Sequence, residues 1–289
     1  MPADWPHRDV SRRVESRPHL WHMQEKGSGP VLLLLHGTGA STHSWAGLFD
    51  RLAEAHRVVA VDLPGHGFTR LGSRHRSRPA LMAADLWSLL GAEDIAPRAI
   101  IGHSAGAALA LEMATSPERN SDVALIIGIN AALSAFDGAA GWLFPMAARA
   151  MAAMPGLTTG LARLARSNGR VEQLLGNTGS MLDTESIARY RVLLGDPTQI
   201  DGALSMMAQW STRGFDDEVR RYPGRLTLLT GERDATVSPA ISARAARIAR
   251  DGVHLSMGPY GHLVHEEAAD MTASVVLDTL SREAVPIAR

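Results

Sequence analysis

The stretch Ile100-Ile101-Gly102-His103-Ser104-Ala105-Gly106-Ala107 constrains this chain more than any other. It reads as a buried apolar strand from Arg98 to Gly102, a sharp turn, and a helix beginning near Ala105. Gly102, Ser104 and Gly106 form the pattern Gly-x-Ser-x-Gly. A serine in that setting sits on a strained strand-to-helix turn. Its hydroxyl is held out above a sheet, and the flanking glycines let two chain segments approach closely. The N–H of Ala105 then points at whatever Ser104 attacks. The pattern alone also fits a tight structural turn. The strand before it and the helix after it favour a nucleophile.

Buried strands and helices alternate around this turn. His19 to Glu25 alternates as an edge strand, and Lys26-Gly27-Ser28-Gly29-Pro30 closes a turn. Val31 to Leu35 is an unbroken branched apolar run, the mark of a strand buried on both faces of a parallel sheet. It ends in His36-Gly37-Thr38-Gly39. Helical spacing follows from Ser44 to Ala55. A second buried strand, Arg57 to Leu63, runs into Pro64-Gly65-His66-Gly67. Then come a helix around Pro79 to Leu90, the Ser104 strand with its helix (Ala105 to Thr115), and a strand from Asp122 to Asn130. This rhythm predicts a doubly wound, mostly parallel α/β sheet with active residues at the carboxyl ends of its strands.

At Asn130 the rhythm breaks. Ala131 to Pro223 is helical in spacing, rich in alanine and methionine, and too long for a structureless loop. Residues 131–222 are therefore expected to form an inserted helical cap, with 1–130 and 223–289 as the two parts of the core. Trp142, Phe144, Met206, Met207 and Trp210 are the cap's candidate substrate-binding residues. The α/β rhythm returns with a strand from Arg225 to Thr230, ending in Gly231-Glu232-Arg233-Asp234. A helix from Pro239 to Arg250 and a strand from Val253 to Met257 follow. After Gly258-Pro259-Tyr260-Gly261-His262 comes a last helix from Glu266 to Leu280.

A serine hydroxyl is a poor nucleophile at neutral pH. It needs an adjacent base, and the base needs a third group to hold its tautomer. Asp234 and His262 each follow a late strand, so the chain order is nucleophile, acid, base. Asp137 is the alternative acid and His265 the alternative base. An oxyanion hole needs two donors: the Ala105 N–H is one, and the Thr38 N–H, with Gly39 close behind, is the other. His36 is expected to brace its loop. Asp62 to Gly67 reads as scaffold beside the site, and the basic run Arg70, Arg74, His75, Arg76 and Arg78 as a solvated loop.

Composition excludes several other functions. The chain has no cysteine, so neither disulfides nor a thiolate metal site is possible. His262, His265 and Glu266 do not have zincin spacing, and the reading calls for no metal and no cofactor. A net charge of −1 gives no global cue for a nucleic-acid partner. The segment Met1 to Arg8 lacks the apolar region of a secretory signal, and no uncharged apolar run has the length of a membrane span. A cytoplasmic location without a transmembrane segment is expected.

His36 to Gly39, Asp62 to Gly67, Gly102 to Gly106, Asp234 and Gly261-His262 together resemble the α/β-hydrolase superfamily across essentially the whole chain. Longer strings resemble one subgroup: Asp4 to Arg8, His36 to Trp45, Asp62 to Thr69, Gly102 to Ala107 and Gly258 to Glu267. These are similar to the α/β-hydrolase-like magnesium-chelatase accessory proteins of bacteriochlorophyll biosynthesis. The resemblance implies a photosynthetic bacterium, a tetrapyrrole pathway and magnesium-chelatase subunits as partners. Two functions follow as expectations. One is a serine hydrolase acting on a bulky apolar ester or related small molecule, a tetrapyrrole among the candidates. The other is a non-hydrolytic accessory or porphyrin-binding protein. In either case an arginine at the cleft mouth (Arg70, Arg74 or Arg149) is expected to hold a carboxylate edge.

Overall fold

A computed structural model of the chain describes residues 1–133, 148, 150, 151, 154, 156–167, 169–210 and 215–284. Eight strands form one sheet: β1 (Ser11–Ser16), β2 (His19–Lys26), β3 (Val31–Leu35), β4 (Arg57–Val61), β5 (Ala99–His103), β6 (Leu125–Ile129), β7 (Arg225–Thr230) and β8 (Asp251–Ser256). Their spatial order is β1-β2-β4-β3-β5-β6-β7-β8. The pairs β1–β2 and β2–β4 are antiparallel. All later pairs are parallel.

The apolar runs explain the parallel part. Along β3, Leu33 and Leu35 enter one core cluster, while Leu32 and Leu34 enter the other. The first cluster packs against helices Pro79–Ala92, Ala105–Thr115 and Pro239–Ile248, and the second against Ala46–Ala53 and Ala269–Ala284. A strand covered on both faces has no polar alternation to show, and none is seen in Val31–Leu35.

Two expectations need correction. His19–Lys26 is not an edge strand, because β1 pairs outside it with Arg13 opposite His22. Only Val14 of β1 is buried, so the sequence of β1 offers no apolar pattern to read. The last helix is also broken. A single turn, Val264–Glu267, precedes Ala269–Ala284, and Ala268 between them leaves helical geometry (φ −134°, ψ 55°).

Chain direction across the sheet reverses around β3 and β5. From β3 the chain moves to β4, then jumps back over β3 to β5 and continues outward through β6, β7 and β8. The crevice at the carboxyl ends of β3 and β5 is thus a topological switch point, where open α/β sheets bind ligands.

Between β6 and β7 the described residues contain helices and no strand. The helices are Leu157–Ala165, Arg170–Gly176, Thr184–Leu194, Pro197–Gln209 and Asp216–Arg221. Ala148, Ala162, Ile200, Leu204 and Ala208 form a small core of their own, with Met151, Leu161 and Met207 against it. Val171, Leu175 and Tyr190 pack on Ala40 and Leu263 from the loops after β3 and β8. Phe215, Val219 and Tyr222 instead join the main core beneath the sheet's helices.

Candidate active site

Ser104 follows β5 directly and caps helix Ala105–Thr115 with φ 50° and ψ −116°. A non-glycine residue at positive φ is strained. Its surroundings hold it there: the Ser104 N–H donates to Ile129 O at 2.9 Å, and Ser104 O accepts from the Ala132 N–H at 3.1 Å. The neighbouring glycines are sterically required. A Cβ on Gly106 would lie 2.1 Å from Leu35 O, and one on Gly102 would lie 2.5 Å from the Ala107 backbone. The helix can start against β3 only because both positions lack a side chain.

The loop after β3 lies over this turn. A Cβ on Gly37 would meet His103 Nδ1 at 2.7 Å and Ser104 Cβ at 3.2 Å. His36 donates from Nδ1 to Gly37 O (2.8 Å) and accepts the Leu63 N–H at Nε2 (2.9 Å). Burial lowers its pKa, which keeps the ring neutral and able to play both roles. It braces the loop, as expected. Among the described residues, neither the Thr38 N–H nor the Ala105 N–H donates to a protein acceptor. Thr38 Oγ1 donates to Met206 Sδ at 3.4 Å.

Asp62 ties the same loop to its neighbours. Its carboxylate accepts the N–H groups of Thr42 (2.7 Å) and Phe68 (2.8 Å) and is 2.8 Å from His22 Nδ1. Burial would raise its pKa, but the hydrogen bonds from His22 and from backbone N–H groups hold it at about 2. Asp62 is scaffold. Of the basic run, Arg70, Arg74, His75 and Arg78 are exposed, with Arg74 paired to Asp201 (2.6 Å), while Arg76 is half-buried and paired with the Asp85 carboxylate. Arg149 lies outside the described residues.

Asp234 and His262 come together from the loops after β7 and β8. Asp234 Oδ2 is 2.8 Å from His262 Nδ1, and Asp234 Oδ1 accepts the N–H groups of Thr236 and Val237, each at 2.8 Å. His262 reaches the serine turn through His103, whose ring centroid lies 4.7 Å from its own and whose Nε2 donates to His262 O at 2.9 Å. His265, the alternative base, is fully buried. Its Nε2 meets Ser44 Oγ at 2.9 Å, and burial lowers its pKa to about 3. Asp137, the alternative acid, lies outside the described residues, as do Trp142 and Phe144. Met206 is buried under Thr38, Met207 faces the small helical core, and Trp210 packs beside Phe215 at 6.2 Å.

Several residues at the site carry no motif. Gln199, on helix Pro197–Gln209, accepts the Gly67 N–H (2.7 Å) and donates to Gly39 O (2.9 Å), so one side chain spans both loops beside Ser104. Thr178 O accepts the Ala235 N–H (3.1 Å) and the His262 N–H (3.2 Å). Beside it, a Cβ on Gly179 (φ +81°) would lie 1.9 Å from Arg233 O. The segment between β6 and β7 therefore touches both the Asp234 loop and the His262 loop. A glycine in an otherwise helical stretch was the one available signal.

Among the described residues no helix is long and apolar enough to cross a membrane. No group of three or more His, Cys, Asp or Glu side chains there is placed to hold a metal.

Comparisons with known proteins bear on the family and the fold. The model of the alpha/beta hydrolase family matches residues 32–275. The chain is 41% identical to the magnesium-chelatase 30 kDa subunit of Rhodobacter capsulatus, over 97% of this chain and 98% of that one. Among solved structures, an epoxide hydrolase superposes with a TM-score of 0.78 at 19% identity, covering 94% of this chain and 98% of that one. An α/β-hydrolase-fold protein from Burkholderia ambifaria gives 0.76 at 22% identity, covering 93% and 98%. At those identities the structural likeness concerns the fold. With the family model spanning most of its length and a full-length relative beside it, this chain belongs to the alpha/beta hydrolase family.

Proposed function

We propose that the chain is a serine hydrolase of bulky apolar esters or related substrates, acting in bacteriochlorophyll biosynthesis. The observation that carries the reading is the Asp234–His262 hydrogen bond of 2.8 Å, in a site where Ser104 is held at positive φ at the switch point. Asp234 holds the proton on His262 Nδ1, leaving Nε2 as the base. Nε2 takes the Ser104 hydroxyl proton as Oγ adds to the ester carbonyl. The N–H groups of Thr38 and Ala105 receive the resulting oxyanion. Collapse breaks the bond to the alkoxide, which leaves with the proton from His262. Water then attacks the acyl-serine by the same route, returning the acid product and free Ser104.

In this reading the helices from Leu157–Ala165 through Pro197–Gln209 form a cap over the switch-point crevice, while Asp216–Arg221 belongs to the core. Met206 packs against Thr38 from the cap side, and methionine adapts to irregular space. The magnesium-chelatase name of the Rhodobacter capsulatus relative supports a tetrapyrrole as the ligand. That name also favours a second reading, an accessory protein that holds a porphyrin for magnesium-chelatase subunits without turnover. Reaction with a fluorophosphonate probe separates the two. Labelling of the wild type, lost in Ser104→Ala and His262→Ala, supports the hydrolase. A wild type that the probe leaves unmodified favours the accessory role.

A further inference from the structure

We propose that Asn130 is a positioning residue that fixes the acid loop against the base loop, and through them the tautomer of His262. The inference rests on the serine-hydrolase reading above. Asn130 follows β6 directly, is buried, and adopts φ 44°, a region asparagine tolerates better than most residues. Its Oδ1 accepts the Gly231 N–H at 2.9 Å, at the start of the loop that carries Asp234. Its Nδ2 donates to Gly261 O at 3.0 Å and to His262 O at 2.7 Å. One planar amide thus has its acceptor on the acid loop and both donors on the base loop. The partners dictate its orientation, since an N–H needs the oxygen and two carbonyls need the NH2.

Besides the Asp234–His262 bond itself and a bond from Ser256 Oγ to Glu232 at 2.8 Å, the loops are tied by backbone contacts. Arg233 N–H donates to Tyr260 O at 2.9 Å, and Thr178 O serves both loops from the inserted segment. Asn130 is the side chain that spans them from the sheet side. It shares His262 O with His103 Nε2, so the carbonyl of the base residue is fixed by two donors. With its backbone pinned, the His262 ring presents Nδ1 to Asp234. Other residue types fail for specific reasons. Aspartate keeps the bond to Gly231 but turns a carboxylate oxygen toward two carbonyl oxygens. Glycine keeps the backbone geometry and makes none of the three bonds.

The test uses the full chain, with Asn130→Asp and Asn130→Gly, and reads the His262 tautomer from imidazole 15N shifts, assigned by their loss in His262→Gln. The wild type should hold one tautomer, protonated at Nδ1. Both variants should shift toward a mixture with the Nε2–H form. Fluorophosphonate labelling of Ser104 should slow by up to about 100-fold, the scale of an approximately 1 Å misplacement. His36, whose Nδ1 bonds Gly37 O, is the internal control and should not change. A variant with the wild-type His262 tautomer overturns the proposal. So does a shift that His36 shares, because that reports general loosening. If Asn130→Asp fails to fold, Asn130→Gly decides alone. The tautomer does not depend on turnover. A wild type inert to the probe therefore removes the hydrolase reading while the NMR comparison still decides the role of Asn130.

Discussion

Asp234 Oδ2 lies 2.8 Å from His262 Nδ1 while the other oxygen, Oδ1, is occupied by two backbone N–H groups. The carboxylate therefore cannot rotate without losing those bonds. Asp234→Asn is the informative substitution for that reason. The Thr236 and Val237 N–H groups will keep the amide oxygen on their side and turn the NH2 toward His262. The ring then accepts at Nδ1 and carries its proton on Nε2, where the Ser104 proton should go. Labelling of Ser104 by a fluorophosphonate should drop by about 10⁴-fold, the loss known for a wrong-tautomer triad. A rate within tenfold of wild type would remove Asp234 from the acid role.

Much of this arrangement was legible in the sequence, and the reasons are particular. Gly102, Ser104 and Gly106 are legible because a tight strand-to-helix crossing admits few residue types. Val31–Leu35 is legible because burial on both faces leaves an unbroken apolar run. Asp234 and His262 are legible only through their order and their strand-end positions. Asn130, Gln199 and Thr178 are not legible in the same way. Their roles depend on partners 57 to 160 residues away in sequence, from Ala235 for Thr178 to Gly39 for Gln199. β1 is not legible because a strand with one buried residue has no periodicity to detect.

Gln199 couples the inserted helix to the loop carrying Thr38. Gln199→Ala should leave the Gly67 N–H without its partner and free Gly39 O, at about 1–3 kcal/mol of stability. The Thr38 N–H would lose its fixed position, so Ser104 labelling should slow by about tenfold, equivalent to about 1.4 kcal/mol. Met207→Ala, on the same helix but facing the small helical core, should lower the melting temperature without a comparable loss of labelling. Equal labelling by wild type and Gln199→Ala would show that the helix does not support the loop.

Glu266 gives the stability of the fold a pH dependence. Burial raises its pKa from 4.5 to about 7, against hydrogen bonds from Ser44 and Tyr190 that lower it. Arg189, Asp183 and His265 are the other ionisable groups near it. Because the folded value is raised, the protonated carboxyl favours folding. Its contribution is complete below the unfolded value of 4.5, shrinks as pH rises, and is gone above about 7. Glu266→Gln removes this single term. The stability of wild type relative to Glu266→Gln should fall by at most about 3 kcal/mol between pH 4.5 and pH 7 and stay level above it. Urea unfolding of both proteins at several pH values measures this. A constant difference across the range would mean that Glu266 is ionised when buried.

A porphyrin is flat, wide and mostly apolar, with carboxylates along one edge. Burying its faces against cap and core side chains would favour binding by roughly 25 cal/mol per Å² of apolar area, less the costs of association. The carboxylate edge needs a cation at the cleft mouth. Arg74 is already paired with Asp201 at 2.6 Å. The exposed Arg70 makes no ion pair among the described residues, and its N–H donates to Leu20 O at 2.9 Å. Leu20 lies at the start of β2, and because β2 is antiparallel to β4 that end is the carboxyl end of the parallel strands. Titration of protoporphyrin, its magnesium complex and its methyl ester should therefore show saturable binding, unchanged by Ser104→Ala. Arg70→Ala should weaken the free acid by about tenfold and the methyl ester much less, since the ester offers no charge to the guanidinium. Release of methanol from the ester by wild type alone would join binding to serine chemistry. Binding with no product would leave Ser104 without a role on this ligand and favour the accessory reading. Failure to bind any of the three would exclude the tetrapyrrole and leave a hydrolase of another apolar ester.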